Sequence, residues 1–325
     1  RLEKTPHDLA KLDHRSVHLI LVESYGQTVL ERPFYVQELA ATFDRFERTL
    51  GARGFQIVSS VLDSPTYGGR SWLAHATLAT GVNTGNDLDY EILSAKKPRT
   101  LASFFRDAGY LTVLAQPGTT RPWPNGDYLG FERKYYAWNF DYAGPSYAWA
   151  TMPDQYVLDF IRRRELEHPA RPLFAQYVLV TSHAPWSDQP EIVPDWSKLE
   201  NGAIFRQMPS VHYPITWPKF ANASEAYARS LRYDFDVLAH FIAHAIADGS
   251  LVIILGDHQP VSDITDGATS HGVPVHVLSR DPALLAPFIA RGYTPGLRVH
   301  RPGSHPGLDT FLSSLLADFS TNVKQ

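Results

Sequence analysis

The apolar run Leu251-Val252-Ile253-Ile254-Leu255 ends, one Gly later, on Asp257-His258, a carboxylate and an imidazole on neighbouring residues. A second run, Val17-His18-Leu19-Ile20-Leu21-Val22, ends on Glu23, followed by Ser24-Tyr25-Gly26. Continuous apolar runs of this kind read as buried parallel strands, and open α/β sheets bind ligands just beyond the carboxyl ends of their strands. Glu23, Asp257 and His258 are therefore candidates to hold one divalent cation at a sheet edge. Taken alone, the Asp257-His258 pair also suits a catalytic triad or a surface turn. A Gly-rich turn, Tyr67-Gly68-Gly69-Arg70-Ser71, leads into the apolar segment 72–80, which closes on Gly81. Ser71 thus falls at or near a helix N-terminus, where anions are accommodated. As a fourth ligand its hydroxyl would be activated as a nucleophile, because coordination lowers its pKa. Gly68 and Gly69 let the backbone approach a substrate, and Arg70 offers a guanidinium fork to phosphoryl or sulfuryl oxygens. Two other readings of this segment stand: Ser71 as a simple N-cap, and Ser64 or Thr66 as the attacking hydroxyl.

The elements that must carry these residues follow from periodicity. Strands are expected over 17–23, 55–61, 110–115, 173–181, 251–255 and 273–278, and helices near 35–50, 72–81, 100–108, 153–167, 222–248, 282–290 and 307–319. Strand and helix alternate for most of the length, which predicts an α/β fold, doubly wound, with a mostly parallel central sheet and helices on both faces. Two Pro-, Gly- and aromatic-rich stretches, 117–150 and 184–221, interrupt the alternation. They read as loop insertions in a single domain spanning 1–325, and long ordered loops of this kind commonly shape a pocket. Tyr25, Trp72, Trp149 and Trp186 are candidates to stack on a sugar or cover a head group.

Composition narrows the function classes. The 325 residues are 44% hydrophobic and 20% charged, ordinary for a globular protein able to bury a large core. A net charge of −4 without a Lys/Arg block gives no footprint for nucleic acid. The chain has no Cys, which removes thiolate metal sites, cysteine nucleophiles and disulfides together. No window reaches the roughly 20 apolar residues of a membrane span. The sequence starts at Arg1 rather than Met, so membrane association through an upstream segment is an open expectation. Three oxygen ligands and one imidazole suit Zn²⁺ or Mn²⁺ better than Ca²⁺ or Cu⁺.

These pieces together resemble the alkaline phosphatase and sulfatase superfamily, and more closely its lipoteichoic acid synthase-like branch of phosphoglycerol and phosphoethanolamine transferases. The matching segments are Val22-Glu23-Ser24-Tyr25-Gly26, Gly69-Arg70-Ser71 with its helix, and Gly256-Asp257-His258, in the order that branch shows. The likeness runs from about residue 15 to the C-terminal helix. It also includes Thr181-Ser182-His183-Ala184-Pro185-Trp186, where relatives carry a substrate-binding His, and Ser270-His271-Gly272-Val273-Pro274, which resembles their His before a Val-Pro strand. The resemblance implies catalytic roles for Ser71, His183 and His271, with either His protonating the leaving alcohol. It implies a periplasmic or extracytoplasmic address and a lipid head group or glycan as substrate. The bland alternative for His183 and His271 is a satisfied structural histidine, and His75, His276, His300 and His305 are read as structural. Many transferases of this branch use Thr where Ser71 stands. The C/S-x-P-x-R motif of sulfatases proper is absent, which makes sulfate ester hydrolysis the weaker expectation. Water as acceptor would make the protein a phosphatase or phosphodiesterase, and a binding protein on a catalytically retired scaffold is the rival from another class.

Overall fold

The computed structural model describes residues 7–212 and 222–321; Trp217, part of the second expected insertion, lies outside the described residues. The first half of the chain forms β1 (Val17–Val22), α1 (Thr28–Glu31), α2 (Pro33–Gly51), β2 (Gln56–Asp63), α3 (Ser71–Thr80), α4 (Asp87–Lys96), α5 (Leu101–Asp107), β3 (Leu111–Gln116) and β4 (Arg133–Tyr136). The second half adds α6 (Asp154–Ile161), β5 (Leu173–Val178), β6 (Asp188–Pro190), β7 (Ser210–His212), α7 (Ala223–Ala245), β8 (Leu251–Gly256), α8 (Ser262–Thr265), β9 (Gly272–Ser279), α9 (Pro282–Ala290), β10 (Thr294–Pro295) and α10 (Thr310–Phe319). Sequence periodicity recovers all of these but the shortest elements and α4. That helix buries only Tyr90, Leu93 and Ser94, too few to leave an apolar stripe.

One sheet of eight strands, in the order β10-β2-β9-β8-β1-β5-β3-β4, organises the molecule. Strands β8, β1, β5, β3 and β4 run parallel, whereas β9 is antiparallel to both β8 and β2, and β10 to β2. The fold is the expected α/β arrangement with a large, mostly parallel central sheet. Successive side chains of β1 go to opposite faces. Ile20 and Val22 join a core with Phe43, Phe46, Val157, Leu231 and Phe241 of α2, α6 and α7. Val17, Leu19 and Leu21 join a second core with Leu78, Phe105, Phe288 and Leu312 of α3, α5, α9 and α10. Both faces are covered, which is why the central strands β1, β5 and β8 are buried along their whole length and mostly apolar.

Topology decides which residues reach the sheet edge where Glu23 and Asp257 emerge. Parallel β8, β1 and β5 exit there, and so does β2, which runs in the same direction as β8. Antiparallel β9 enters there, bringing the residue just before it, His271. Strand β5 stops at Val178 rather than at 181, because the Asp154 carboxylate takes the Val180 and Thr181 N–H groups at 2.9 and 2.7 Å and so removes them from the ladder. The helix expected over 153–167 is α-helical only to Ile161 and continues as a wider π turn over Arg162–Leu166.

The β1–β8 register pairs Val22 with Gly256, so the next residues, Glu23 and Asp257, leave the sheet side by side. Gly256 is required there, since a Cβ would collide with the Tyr25 carbonyl oxygen as the chain turns after β1. Gly256→Ala should therefore cost at least about 1–3 kcal/mol of stability, the usual range for overpacking. An unchanged denaturant midpoint would show that the Tyr25 turn is free to move.

Candidate active site

At the two strand ends, three ligand-bearing side chains converge. Glu23, Asp257 and His258 are all buried, and each offers a donor atom within 4.8 Å of the others. Asp257 Oδ1 accepts the N–H groups of Ser24 and His258, both at 2.8 Å, which fixes the carboxylate and leaves Oδ2 buried without a hydrogen-bond partner. His258 Nδ1–H donates to the Gln259 carbonyl at 2.7 Å, turning Nε2 toward the carboxylates, 3.2 Å from Glu23 Oε1. An imidazole fixed through its other nitrogen by a backbone carbonyl is the usual support for a metal-ligating His. Glu23 is held from behind, its carbonyl accepting from Ser182 Oγ at 2.8 Å and its Oε1 from Ser24 Oγ at 3.0 Å.

Ser71 is delivered by the loop that follows β2. Ser64 Oγ donates to the Asp257 carbonyl at 2.6 Å, and Gly68 N–H donates to the Gln259 carbonyl at 2.9 Å, so this loop is stitched along the residues after β8. Three successive positive φ angles, at Gly68, Gly69 and Arg70, then turn the chain into α3. Such angles cost glycine little but strain Arg70, and strain of this kind clusters at functional sites. Ser71 becomes the first residue of α3, one position inside the cap. Its Oγ donates to Glu23 Oε2 at 2.9 Å and lies 3.1 Å from His258 Nε2. Ser64 and Thr66 are buried in the supporting loop, Ser64 spent on a backbone carbonyl.

The charge balance suits a cation. Burial alone would raise Asp257, yet the His258 and His75 imidazoles and the Ser24 N–H hold it below the ordinary carboxylate range. Burial would lower His258, but Asp257 and Glu23 overcome it and push the imidazole up to about 10. Two buried carboxylates thus recruit the nearest available positive charge. A divalent cation held by Glu23, Ser71, Asp257 and His258 would supply it directly, and the partnerless Asp257 Oδ2 faces that position. These residues fit such a cation.

The other expected site residues divide. His183 follows the Ser182 that holds Glu23; its Nδ1–H donates to the Ala184 carbonyl at 2.5 Å, and its ring stacks on Trp149 at 3.8 Å and 13°. His271 Nδ1–H donates to the Ser64 carbonyl at 3.0 Å, and the residue is exposed. The Arg70 side chain is more than half exposed and pairs with Asp87 at 3.7 Å. Trp72 is 44% exposed and Trp149 48% exposed, so both present aromatic surface. Tyr25 and Trp186 are corrections. Tyr25 is fully buried with its hydroxyl 2.9 Å from His276 Nε2, and Trp186 is buried with its indole N–H on the Ser182 carbonyl. Both are framework, since their polar tips are satisfied inside the protein and no face is open to a substrate.

Two features escaped the sequence reading. His75, read as structural, lies one turn after Ser71 with its Nε2 3.6 Å from Asp257 Oδ2. Its i, i+4 spacing from Ser71 was the available signal. The second is a buried carboxyl pair below the His183 loop. Asp154, at the start of α6, and Asp234, in α7, are both fully buried, and neither Asp234 oxygen has a hydrogen-bond partner. Burial pushes Asp154 up to about 6, and burial plus the Asp154 charge pushes Asp234 well above the ordinary range. The folded state therefore retains protons that the unfolded chain releases above about pH 4, and stability falls as pH rises. With chelator present, the melting temperature should decline from about pH 4 through pH 6 and beyond, and Asp234→Asn should flatten that decline. An unchanged slope in the variant would place the titration elsewhere.

Comparison with known proteins shows the family and the fold. The sulfatase family model matches residues 65–290, from the loop before Ser71 past Asp257, His258 and His271. Among solved structures, the lipoteichoic acid synthase LtaP from Listeria monocytogenes matches with a TM-score of 0.56 at 14% identity, covering 93% of this chain and 76% of that one. The C-terminal periplasmic domain of EcEptC from Escherichia coli, in complex with Zn, gives 0.57 at 16% identity over 96% and 81%. The Streptococcus pyogenes phosphoglycerol transferase GacH, in complex with sn-glycerol-1-phosphate, gives 0.53 at 14% identity over 96% and 88%. A comparison with functionally curated proteins finds no match. At such identities the structural likenesses show a common fold, and with the family match they establish that this chain belongs to the sulfatase family, with an alkaline phosphatase-like fold.

Proposed function

We propose that this protein is a metal-dependent phosphoryl-group transferase acting on a phospholipid- or glycan-linked phosphodiester, with transfer of phosphoglycerol or phosphoethanolamine through a covalent phosphoseryl intermediate. The observation that carries the reading is Ser71 Oγ, at the N-terminus of α3, within hydrogen-bond distance of both Glu23 Oε2 and His258 Nε2. A hydroxyl so placed can lose its proton to a neighbouring base as it attacks. The sulfatase alternative lacks its nucleophile motif, because Ser71-Trp72-Leu73-Ala74-His75 has neither the Pro nor the Arg of C/S-x-P-x-R.

Glu23, Ser71, Asp257 and His258 would hold a divalent cation, Zn²⁺ or Mn²⁺; when bound, it lowers the hydroxyl pKa and neutralises phosphoryl charge. Glu23 Oε2 accepts the Ser71 proton. Ser71 Oγ forms the new bond to phosphorus as the bond to the leaving alcohol breaks. The first N–H groups of α3 have no intrahelical acceptor and face the phosphoryl oxygens, with Arg70 beside them. His183 and His271 each spend Nδ1–H on a backbone carbonyl and keep Nε2 for proton transfer. One of them protonates the leaving alcohol and then takes the proton of the acceptor hydroxyl, whose oxygen bonds to phosphorus as the bond to Ser71 Oγ breaks and Glu23 returns its proton to that Oγ. Trp72 and the Trp149–His183 stack offer flat apolar surface to the head group or glycan of donor or acceptor. An extracytoplasmic address, supported by the periplasmic EptC domain among the fold relatives, belongs to the same proposal. Among the described residues no helix is long and apolar enough to cross a membrane.

Ser71→Ala should lower turnover of an aryl phosphodiester by at least about 10³-fold while the fold persists; full activity in the variant would remove Ser71 as nucleophile. Intact-mass measurement after incubation with phosphatidylglycerol or phosphatidylethanolamine should reveal an adduct on Ser71 that names the transferred group. Chelation should abolish turnover, and Zn²⁺ or Mn²⁺ should restore it; activity that survives exhaustive chelation would contradict the cation's role.

A further inference from the structure

We propose that Trp149 is a positioning residue for proton transfer: its indole holds the His183 imidazole, which makes His183 rather than His271 the donor to the leaving alcohol. The proposal rests on the reading of Ser71 as the nucleophile of a phosphodiester transferase. The two rings lie 3.8 Å apart and 13° from parallel, so one face of the imidazole is covered. Its Nδ1–H is spent on the Ala184 carbonyl, and its backbone follows Ser182, whose Oγ donates to the Glu23 carbonyl at 2.8 Å. Nε2 alone is left to carry a proton to a substrate. His271 also spends Nδ1–H on a carbonyl, but the residue is exposed and meets the Tyr67 ring only at 5.7 Å and 53°. A proton donor is effective when its geometry is fixed before the reaction. Of the two histidines, His183 is the one so fixed.

Trp149 is itself anchored. Tyr147 and Ala150 exchange backbone hydrogen bonds at 2.9 and 2.8 Å, closing a turn with Ala148 and Trp149 at its tip. Thr151 Oγ1 donates to the Pro117 carbonyl at 2.8 Å, and Gly118 leaves room for the indole, since a Cβ there would lie 3.1 Å from the ring. Tyr147 and Ala150 pack on Val180, whose carbonyl accepts the His183 N–H at 3.1 Å. The two segments are thus braced against each other on both sides of the stack. An indole face attracts a cation within about 6 Å of its centre, so the contact is stronger when the imidazole carries its second proton. His183 Nε2–H gives that proton to the leaving oxygen as its bond to phosphorus breaks.

The test compares two phosphodiesters that carry the group found on Ser71, one with p-nitrophenol and one with benzyl alcohol as leaving group. Nitrophenolate departs without a proton, whereas the benzyl alkoxide needs one. His183→Ala should lower the benzyl-to-nitrophenyl ratio of kcat at least about 10²-fold, and Trp149→Leu at least about tenfold. Trp149→Phe, which keeps an aromatic face, should restore most of the ratio. Adding Trp149→Leu to His183→Ala should lower it no further, because a residue that acts through another adds nothing once that other is gone. An unchanged ratio in either single variant, or a further fall in the double variant, would overturn the positioning role and leave the nucleophile standing. No adduct on Ser71 in the wild type, or turnover that survives Ser71→Ala, would overturn the transferase reading and this proposal with it.

Discussion

Two carboxylates leaving neighbouring strands at the same level form the constraint from which the rest of this site follows. The β1–β8 register brings Glu23 and Asp257 together inside the protein, where like charges repel strongly and water screens them little. Everything near them answers that repulsion. His258 is driven to carry a proton, Asp257 Oδ1 collects two backbone N–H groups, Ser24 and Ser71 hydroxyls donate to Glu23, and the N-terminus of α3 points in from the side. A site that must gather this much positive potential is preorganised for a cation and for the anionic group the cation would receive.

The same edge is assembled from strands of both directions. Exits of β1, β2, β5 and β8 meet the entrance of β9 there, so residues separated by up to 248 positions, from Glu23 to His271, come to one place. Rigid strand ends hold the two carboxylates and His258, while Ser71 opens α3 after a loop and His183 sits on another, both loops stitched to those strand ends by serine side-chain and backbone hydrogen bonds. Precision in the donors and adaptability above them is the division of labour expected where loops on a scaffold do chemistry.

Much of this was legible in the chain itself, for physical reasons. A buried strand must be apolar until it emerges, so the first charged residue after it marks the sheet edge; that rule located Glu23, Asp257 and His258. Two adjacent glycines suited to unusual backbone angles, then an apolar helix, located Ser71. The strand-end rule is also why His75 was set aside: it sees the ends of strands and not the second turn of a helix whose first residue is in the site. Tyr25 and Trp186 misled because an aromatic next to a reactive residue can as well point into the core, and only the buried acceptors of their polar tips, His276 and the Ser182 carbonyl, reveal that they do. Asp154 and Asp234 are 80 residues apart and each resembles an ordinary helix carboxylate. No local pattern announces their meeting.

The Trp149–His183 stack joins a segment that contributes none of the four cation donors to a loop that does the holding. Trp149 also covers Gly118, where a side chain would press on its ring, so the segment 117–150 is keyed to the site by one aromatic face and one glycine. Changes in that segment can therefore reshape the aromatic surface above the sheet edge without disturbing the charge balance beneath it. In this architecture the surface above the sheet edge is free to vary while the charge-balanced donor cluster beneath it stays unaltered.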